Sequence, residues 1–154
     1  MFKSVTKIIK KARRLDTNDL LETAVSNAGV QQQMVDFNQN QMYELGVDAK
    51  GEPLGDYSPV TIHGKPGPNG FPGKIEKGQR YDHITLKDTG EFYDSMKVQV
   101  DSDSATITGD MDKPDKDLSA QWPDALGLTP ESLAEVMPMI KEQTVMALKN
   151  RLFI

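Results

Sequence analysis

The middle of the chain limits the fold more than any other stretch. Nine of the twelve glycines fall between Gly46 and Gly90, together with Pro53, Pro59, Pro66, Pro68 and Pro72. Glycine loses the most backbone freedom on ordering and proline has no N–H to donate, so long helices and central strands are improbable here. Gly64 to Gly73 resembles collagen in composition, but the run is too short for a triple helix. The expectation is an extended loop over 64–80, with Lys65, Phe71 and Lys74 available to a neighbouring subunit or partner. Just before it, Ser58 and Pro59 read as the cap and first residue of a helical turn that brings Tyr57, Val60 and Ile62 toward the core.

Regular structure is expected on either side of this loop. Phe2, Val5, Ile8, Ile9 and Ala12 follow a helical repeat. A long helix is expected to start at Thr17 or Asn18 and end at Gly46, with Leu21, Ala24, Val25, Ala28, Val35, Met42 and Leu45 as its apolar stripe and a bend near Gly29. Asn38, Gln39, Asn40 and Gln41 read as a solvated face. Met96, Val98 and Val100 alternate with polar residues, Asp101 to Ser104 make a turn, and Ala105 and Ile107 continue the alternation, which is a hairpin with one buried face. Pro114 to Asp117 read as a loop. Thr129 and Pro130 open a last helix whose inward stripe is Leu133, Val136, Met137, Ile140, Thr144, Ala147, Leu148 and Leu152, kinked at Pro138. The fold class is α+β: a long N-terminal helix and a C-terminal helix on a small antiparallel sheet, with residues 17–154 as one domain behind a basic arm, 1–16.

That arm sets the charge pattern. Lys3, Lys7, Lys10, Lys11, Arg13 and Arg14 precede any acid, while the remaining residues hold 12 basic and 23 acidic side chains, a net of −11 within a chain of −5. An anionic partner for the arm is one reading and a solvated helix face the other; the body itself repels a nucleic-acid backbone. With no cysteine, disulfides and thiolate chemistry are excluded. No segment reads as a secretion signal or a membrane span, and the expectation is a soluble protein without a cofactor.

Asp88, Thr89 and Gly90 spell the aspartic-protease tripeptide. That chemistry needs two carboxylates sharing one proton, which a dimer could supply from two copies of Asp88. Lys87 stands where that family has an apolar residue, and Glu91 where it has a small one, so a second carboxylate pair would crowd the dyad. The structural alternative is a corner: Asp88 and Thr89 accept hydrogen bonds from the turn at Gly90, Phe92 enters the core and Ser95 passes the chain to the strand. His63 and His83 lack the spacing of a helical metal site, and Asp82 beside His83 is expected to point away from it.

Leu54, Tyr57, Ser58, Pro59, Thr61 and Ile62, followed by Leu86, Asp88, Thr89, Gly90, Phe92 and Ser95, stand in the order and spacing of two family segments, "wxpLsxxTi" and "LxdTGxLxxS". On these residues the stretch from Thr17 to Gly109 resembles the phage virion-morphogenesis proteins, the tail-completion or neck proteins of tailed bacteriophages. After Gly109 the chain departs from the family pattern, offering only Trp122 as an aromatic before Leu128. The resemblance implies a non-enzymatic virion protein, assembled in the host cytoplasm, that forms a homo-oligomeric ring between the portal-side connector and the tail, with DNA passing through without specific binding. The alternative is a nucleic-acid-binding module using the basic arm.

Overall fold

The computed structural model describes residues 2–114 and 116–153, with side chains from Lys7 onward; the Lys3 side chain and Asp115 lie outside the described set. Its N-terminal part is not one long helix. After α1 (Phe2–Ala12) come α2 (Thr17–Val25) and α3 (Ala28–Asn40), and α3 runs into a π-helical turn, Gln41–Leu45. The expected helix breaks at Asn27, whose side chain accepts hydrogen bonds from the N–H groups of Gly29 at 2.9 Å and Val30 at 3.3 Å. Capping a new helix competes with continuing the old one. At the start of α2 the cap is Asp16, accepting from the Asn18 N–H at 2.9 Å, rather than Thr17 or Asn18.

This break re-phases the stripe. Leu20, Ala24, Val30, Met34 and Asn38 are buried, whereas Leu21, Ala28 and Leu45 are exposed. Gly46 does end the turn in the left-handed region, at φ 65°. Its place is doubly fixed, because a Cβ there would lie 2.5 Å from the His83 ring.

Among the described residues the strands form three separate two-stranded antiparallel ladders instead of one sheet. β1 (Gly64–Lys65) pairs with β2 (Phe71–Pro72), β3 (Lys97–Val100) with β4 (Ala105–Thr108), and β5 (Asp112–Lys113) with β6 (Lys116–Asp117). The β3–β4 hairpin is the expected one, with Val98 opposite Ile107 and its turn closed by the Asp101 N–H on the Ser104 carbonyl at 2.8 Å. Ala105 is exposed, so only Ile107 represents β4 in the core. The β5–β6 ladder occupies what reads in sequence as a plain loop.

Residues 64–80 are likewise folded. Beyond the β1–β2 ladder, the N–H groups of Lys74 and Ile75 donate to Thr61 and Ile62 at 3.0 and 3.2 Å, and that of Gln79 donates to Lys74 at 2.8 Å. Glycine makes this possible: a Cβ on Gly73 would sit 2.3 Å from the Ile62 carbonyl oxygen. The Gly/Pro content that suggests an open loop instead allows backbone to pack on backbone.

α4 (Pro59–His63) begins as expected, with Ser58 accepting from the Thr61 N–H at 3.2 Å, but Val60 points outward. Two short helices follow, α5 (Glu91–Asp94) and α6 (Leu118–Gln121). The chain ends in α7 (Pro130–Phe153), which runs through Pro138 as one helix and is capped by Thr129, accepting from the Ser132 N–H at 3.2 Å. α7 packs against α1, α2 and α3, burying Val136 and Ile140 while Leu133 is exposed. The fold is mixed helix and small antiparallel ladders with a long C-terminal helix. No helix among the described residues is long and apolar enough to cross a membrane.

The core has two lobes. One gathers Val35, Met42, Leu54, Phe92 and Trp122; the other gathers Ala24, Val30, Met34, Ile107, Val136 and Ile140, with Val98 and Leu126 packed against both. Between them lie two buried amides that the sequence places on a solvated face. Asn38 donates to the Ala125 carbonyl at 3.0 Å and accepts from the Gly127 N–H at 3.1 Å; Gln41 donates to the Gly127 carbonyl at 2.7 Å and accepts from the Thr129 N–H at 3.2 Å. Each amide uses donor and acceptor together, as burial of a polar group requires. Their spacing carries the signal, since Val30, Met34 and Asn38 repeat every four residues along the buried stripe.

Candidate functional site

The two motif segments meet. The Ile84 N–H donates to the Gly55 carbonyl at 2.8 Å, and the Tyr57 hydroxyl lies 3.1 Å from both the Thr85 hydroxyl and the Thr85 N–H. Tyr93 donates its hydroxyl to the Thr85 carbonyl at 2.5 Å. Burial pushes the Tyr93 phenol well up, with the neighbouring Tyr57 and Tyr43 adding to the effect. Trp122 Nε1 donates to the Leu54 carbonyl at 2.8 Å, tying a distant segment to the first motif. Leu86 follows with φ 55°, the sole non-glycine at positive φ among the described residues. A left-handed leucine costs on the order of 1 kcal/mol. It is held by the Lys87 N–H, which donates to the Thr85 hydroxyl at 3.2 Å, and by packing of Leu86 against the first core lobe.

The corner itself differs in detail from the sequence expectation. Thr89 accepts from the Glu91 N–H at 3.4 Å, and Gly90 turns the chain at φ 98°, but Asp88 caps nothing. Its carboxylate, 64% exposed, pairs with Lys77 at 3.3 Å, and its carbonyl accepts from Gln79 at 2.8 Å. Partial burial opposes ionisation of Asp88, but hydrogen bonds from Gln79 and Lys77 outweigh it and hold the carboxyl below its ordinary value. Within the chain Asp88 thus faces a lysine where a proton-sharing dyad needs a second carboxylate. Phe92 is buried as expected, and Ser95 donates to the Phe92 carbonyl at 2.7 Å while accepting from the Asp110 N–H at 2.8 Å.

Around the corner opens a cleft of about 660 Å³, bounded by the 71–77 segment on one side and the 113–118 segment on the other. Five lysines line it, Lys74, Lys77, Lys87, Lys113 and Lys116, against two carboxylates, Asp88 and Glu91. Tyr57, Phe92, Leu118 and Trp122 supply aromatic and apolar walls. Lys77 and Lys113 are paired, with Asp88 and with Glu91 at 3.4 Å. The other three lie over rings: Lys74 Nζ is 4.5 Å from the Tyr57 centroid, Lys116 Nζ 4.7 Å from that of Trp122, and Lys87 Nζ 5.2 Å from that of Tyr43. Stacking fixes an ammonium in place without cancelling its charge. With five lysines against two carboxylates beside aromatic walls, the lining suits an anionic, partly apolar group.

Of the three residues expected at a partner interface, Lys65 and Phe71 are exposed, but Lys74 is not available there. It is 6% exposed, with Nζ donating to Gln79 and to the Lys87 carbonyl, both at 3.2 Å. On the basic arm, Lys7, Lys10, Arg13 and Arg14 are exposed and Lys11 is half-buried. His83 Nδ1 lies 3.3 Å from Asp82, contrary to the expected divergence, because the chain bends there; its Nε2 faces the Tyr43 carbonyl at 2.9 Å. Asp82 also accepts from Arg80, which holds its carboxyl down, and Arg80 reaches Glu44 at 2.6 Å. No group of three potential metal-binding side chains comes together among the described residues. Lys87, Lys113, Lys116 and Trp122 escape sequence reasoning because four separated segments assemble the cleft, and no short motif spans them. No family model, curated protein or solved structure matches the chain.

Proposed function

We propose that this chain is a non-enzymatic structural protein of a tailed bacteriophage virion, forming a homo-oligomeric ring at the head–tail junction between the portal-side connector and the tail. The observation that carries the reading is the docking of Leu54–Ile62 onto Leu86–Ser95 through Thr85, Tyr57 and Tyr93. The two segments that resemble neck proteins in order and spacing act as one structural unit, which is what a shared architecture requires of a two-part motif.

Charge supports the same role. A ring through which DNA slides must not grip phosphates, because each cation contact adds affinity through counterion release. The body beyond Arg14, at −11, meets that condition.

The test is to delete the gene from the phage that encodes it and to image wild-type virions with the protein tagged. The expected results are particles blocked at head–tail joining and a ring of the tagged protein at the neck. Absence of the protein from purified virions refutes the assignment. A salt-sensitive shift of labelled DNA by the purified protein, lost on neutralising Lys7, Lys10, Arg13 and Arg14, would favour a nucleic-acid-binding module instead.

A further inference from the structure

The lysine cleft lies in a chain whose net charge is −5, so its excess of cations stands out from its surroundings. Lys74 is held within the chain, its Nζ donating to Gln79 and to the Lys87 carbonyl with the Asp88 carboxylate nearby. Lys87 and Lys116 stand at the same cleft, exposed and held over rings.

The complementary element is the tip of the β3–β4 hairpin. Asp101, Ser102, Asp103 and Ser104 are all exposed, neither aspartate belongs to an ion pair among the described residues, and no lysine or arginine occurs from Val98 to Asp112. A four-residue strand pair carries this tip about 13 Å from Lys97 and Thr108, at roughly 3.3 Å per residue. The base of the hairpin is fastened to the corner by Ser95 and Asp110. Exposed and unpaired among the described residues, the two carboxylates of this tip complement the cations of the cleft on another copy.

We infer that the acidic hairpin tip of one copy seats in the lysine cleft of the next, with Asp101 and Asp103 facing the exposed Lys87 and Lys116. Donor and acceptor are different patches, so the contact is head-to-tail and closes into a ring when the rotation between copies permits. The inference rests on the ring proposed above and names the contact that builds it.

The experiment uses the full chain and two charge-reversed proteins, Asp101→Lys with Asp103→Lys, and Lys87→Glu with Lys116→Glu. Light scattering and negative-stain images give the assembly state, and circular dichroism verifies that each variant is folded. The wild type is expected to form rings, and each variant alone to associate at least about tenfold more weakly, since like charges then face one another. An equimolar mixture is expected to regain rings, because a lysine tip meets a glutamate cleft and an aspartate tip meets a lysine cleft in alternation. Rings formed equally well by both single variants, or no recovery in the mixture of folded variants, overturn this contact while leaving the ring intact. A wild type that stays monomeric at every concentration overturns the ring as well. The exposed tip variant keeps the test decisive if the cleft variant does not fold.

Discussion

Ser95 ties Asp110 to the corner: one hydroxyl donates to the Phe92 carbonyl at 2.7 Å and accepts from the Asp110 N–H at 2.8 Å. The last residue of the corner motif thus fixes both ends of the β3–β4 hairpin, since one strand leaves just after it and the other returns just before Asp110. Ser95→Ala is expected to cost about 1–2 kcal/mol, because two hydrogen bonds are lost at a half-buried site. The check is thermal or urea unfolding, with a fall in Tm of about 2–4 °C per kcal/mol. An unchanged midpoint would show that water replaces both bonds without loss.

Asp88→Asn is expected to be mild. The lost ion pair to Lys77 is exposed and capping is left to Thr89, so the cost at neutral pH is below about 1 kcal/mol. Its sign with pH follows from the lowered carboxyl: the stabilisation is present above the unfolded-state value and disappears as pH falls through the folded-state value. Unfolding curves of the two proteins should therefore differ near neutrality and converge in acid. No peptidase activity sensitive to this substitution is expected; pepstatin-sensitive cleavage abolished by it would restore the protease reading.

Asn38→Leu is expected to be among the most damaging single changes. It leaves the Ala125 carbonyl and the Gly127 N–H without partners beside a buried apolar side chain, at a cost of about 2–5 kcal/mol. Chemical denaturation measures this directly. Gln39→Leu serves as the comparison, since Gln39 donates one hydrogen bond, to the Tyr93 carbonyl, and uses no acceptor. Equal losses in the two proteins would count against the importance of bonding through both ends of the amide.

In the free subunit, the amides of Lys74 and Ile75 are expected to exchange slowly, since both donate to the α4 segment, while the exposed turn at Pro66 to Asn69 exchanges fast. Gly73→Ala should abolish that slow exchange, because a Cβ there collides with backbone on two sides. Rapid exchange at Lys74 and Ile75 in the unmutated protein would return this stretch to an open loop.

What could be read from the chain was what local chemistry decides. Ser58 with Pro59, Thr129 with Pro130, Gly46 and the alternation through Val98 and Ile107 each act within a few residues, and each lies where the sequence puts it. The interruption near Gly29 was legible, but not that it is a full break capped by Asn27, because an asparagine inside a periodic run is a cap only if the preceding helix stops. Lys74 misled for a related reason. A lysine in a glycine-rich stretch reads as exposed unless the chain is known to fold acceptors back onto it, here Gln79 and the Lys87 carbonyl. The cleft shares this origin: its lysines are scattered over some forty positions and become neighbours only through the β5–β6 ladder and the motif docking.

The amides of Asn38 and Gln41 read main chain alone. Their four bonds go to the backbone of Ala125, Gly127 and Thr129, so nothing in them inspects the side chains that this stretch carries. The two sides of the junction are therefore free to drift to different degrees. Leu126 and Leu128 can exchange with other aliphatic residues of similar volume, whereas Gly127 is held by its φ of 135° and by Ala49, whose Cβ would lie 2.9 Å from an added one. Distant kin of this chain should be easier to find by two amides three residues apart on a buried helical stripe, followed far downstream by a glycine and a Thr-Pro pair, than by any match in the hydrophobic residues around them.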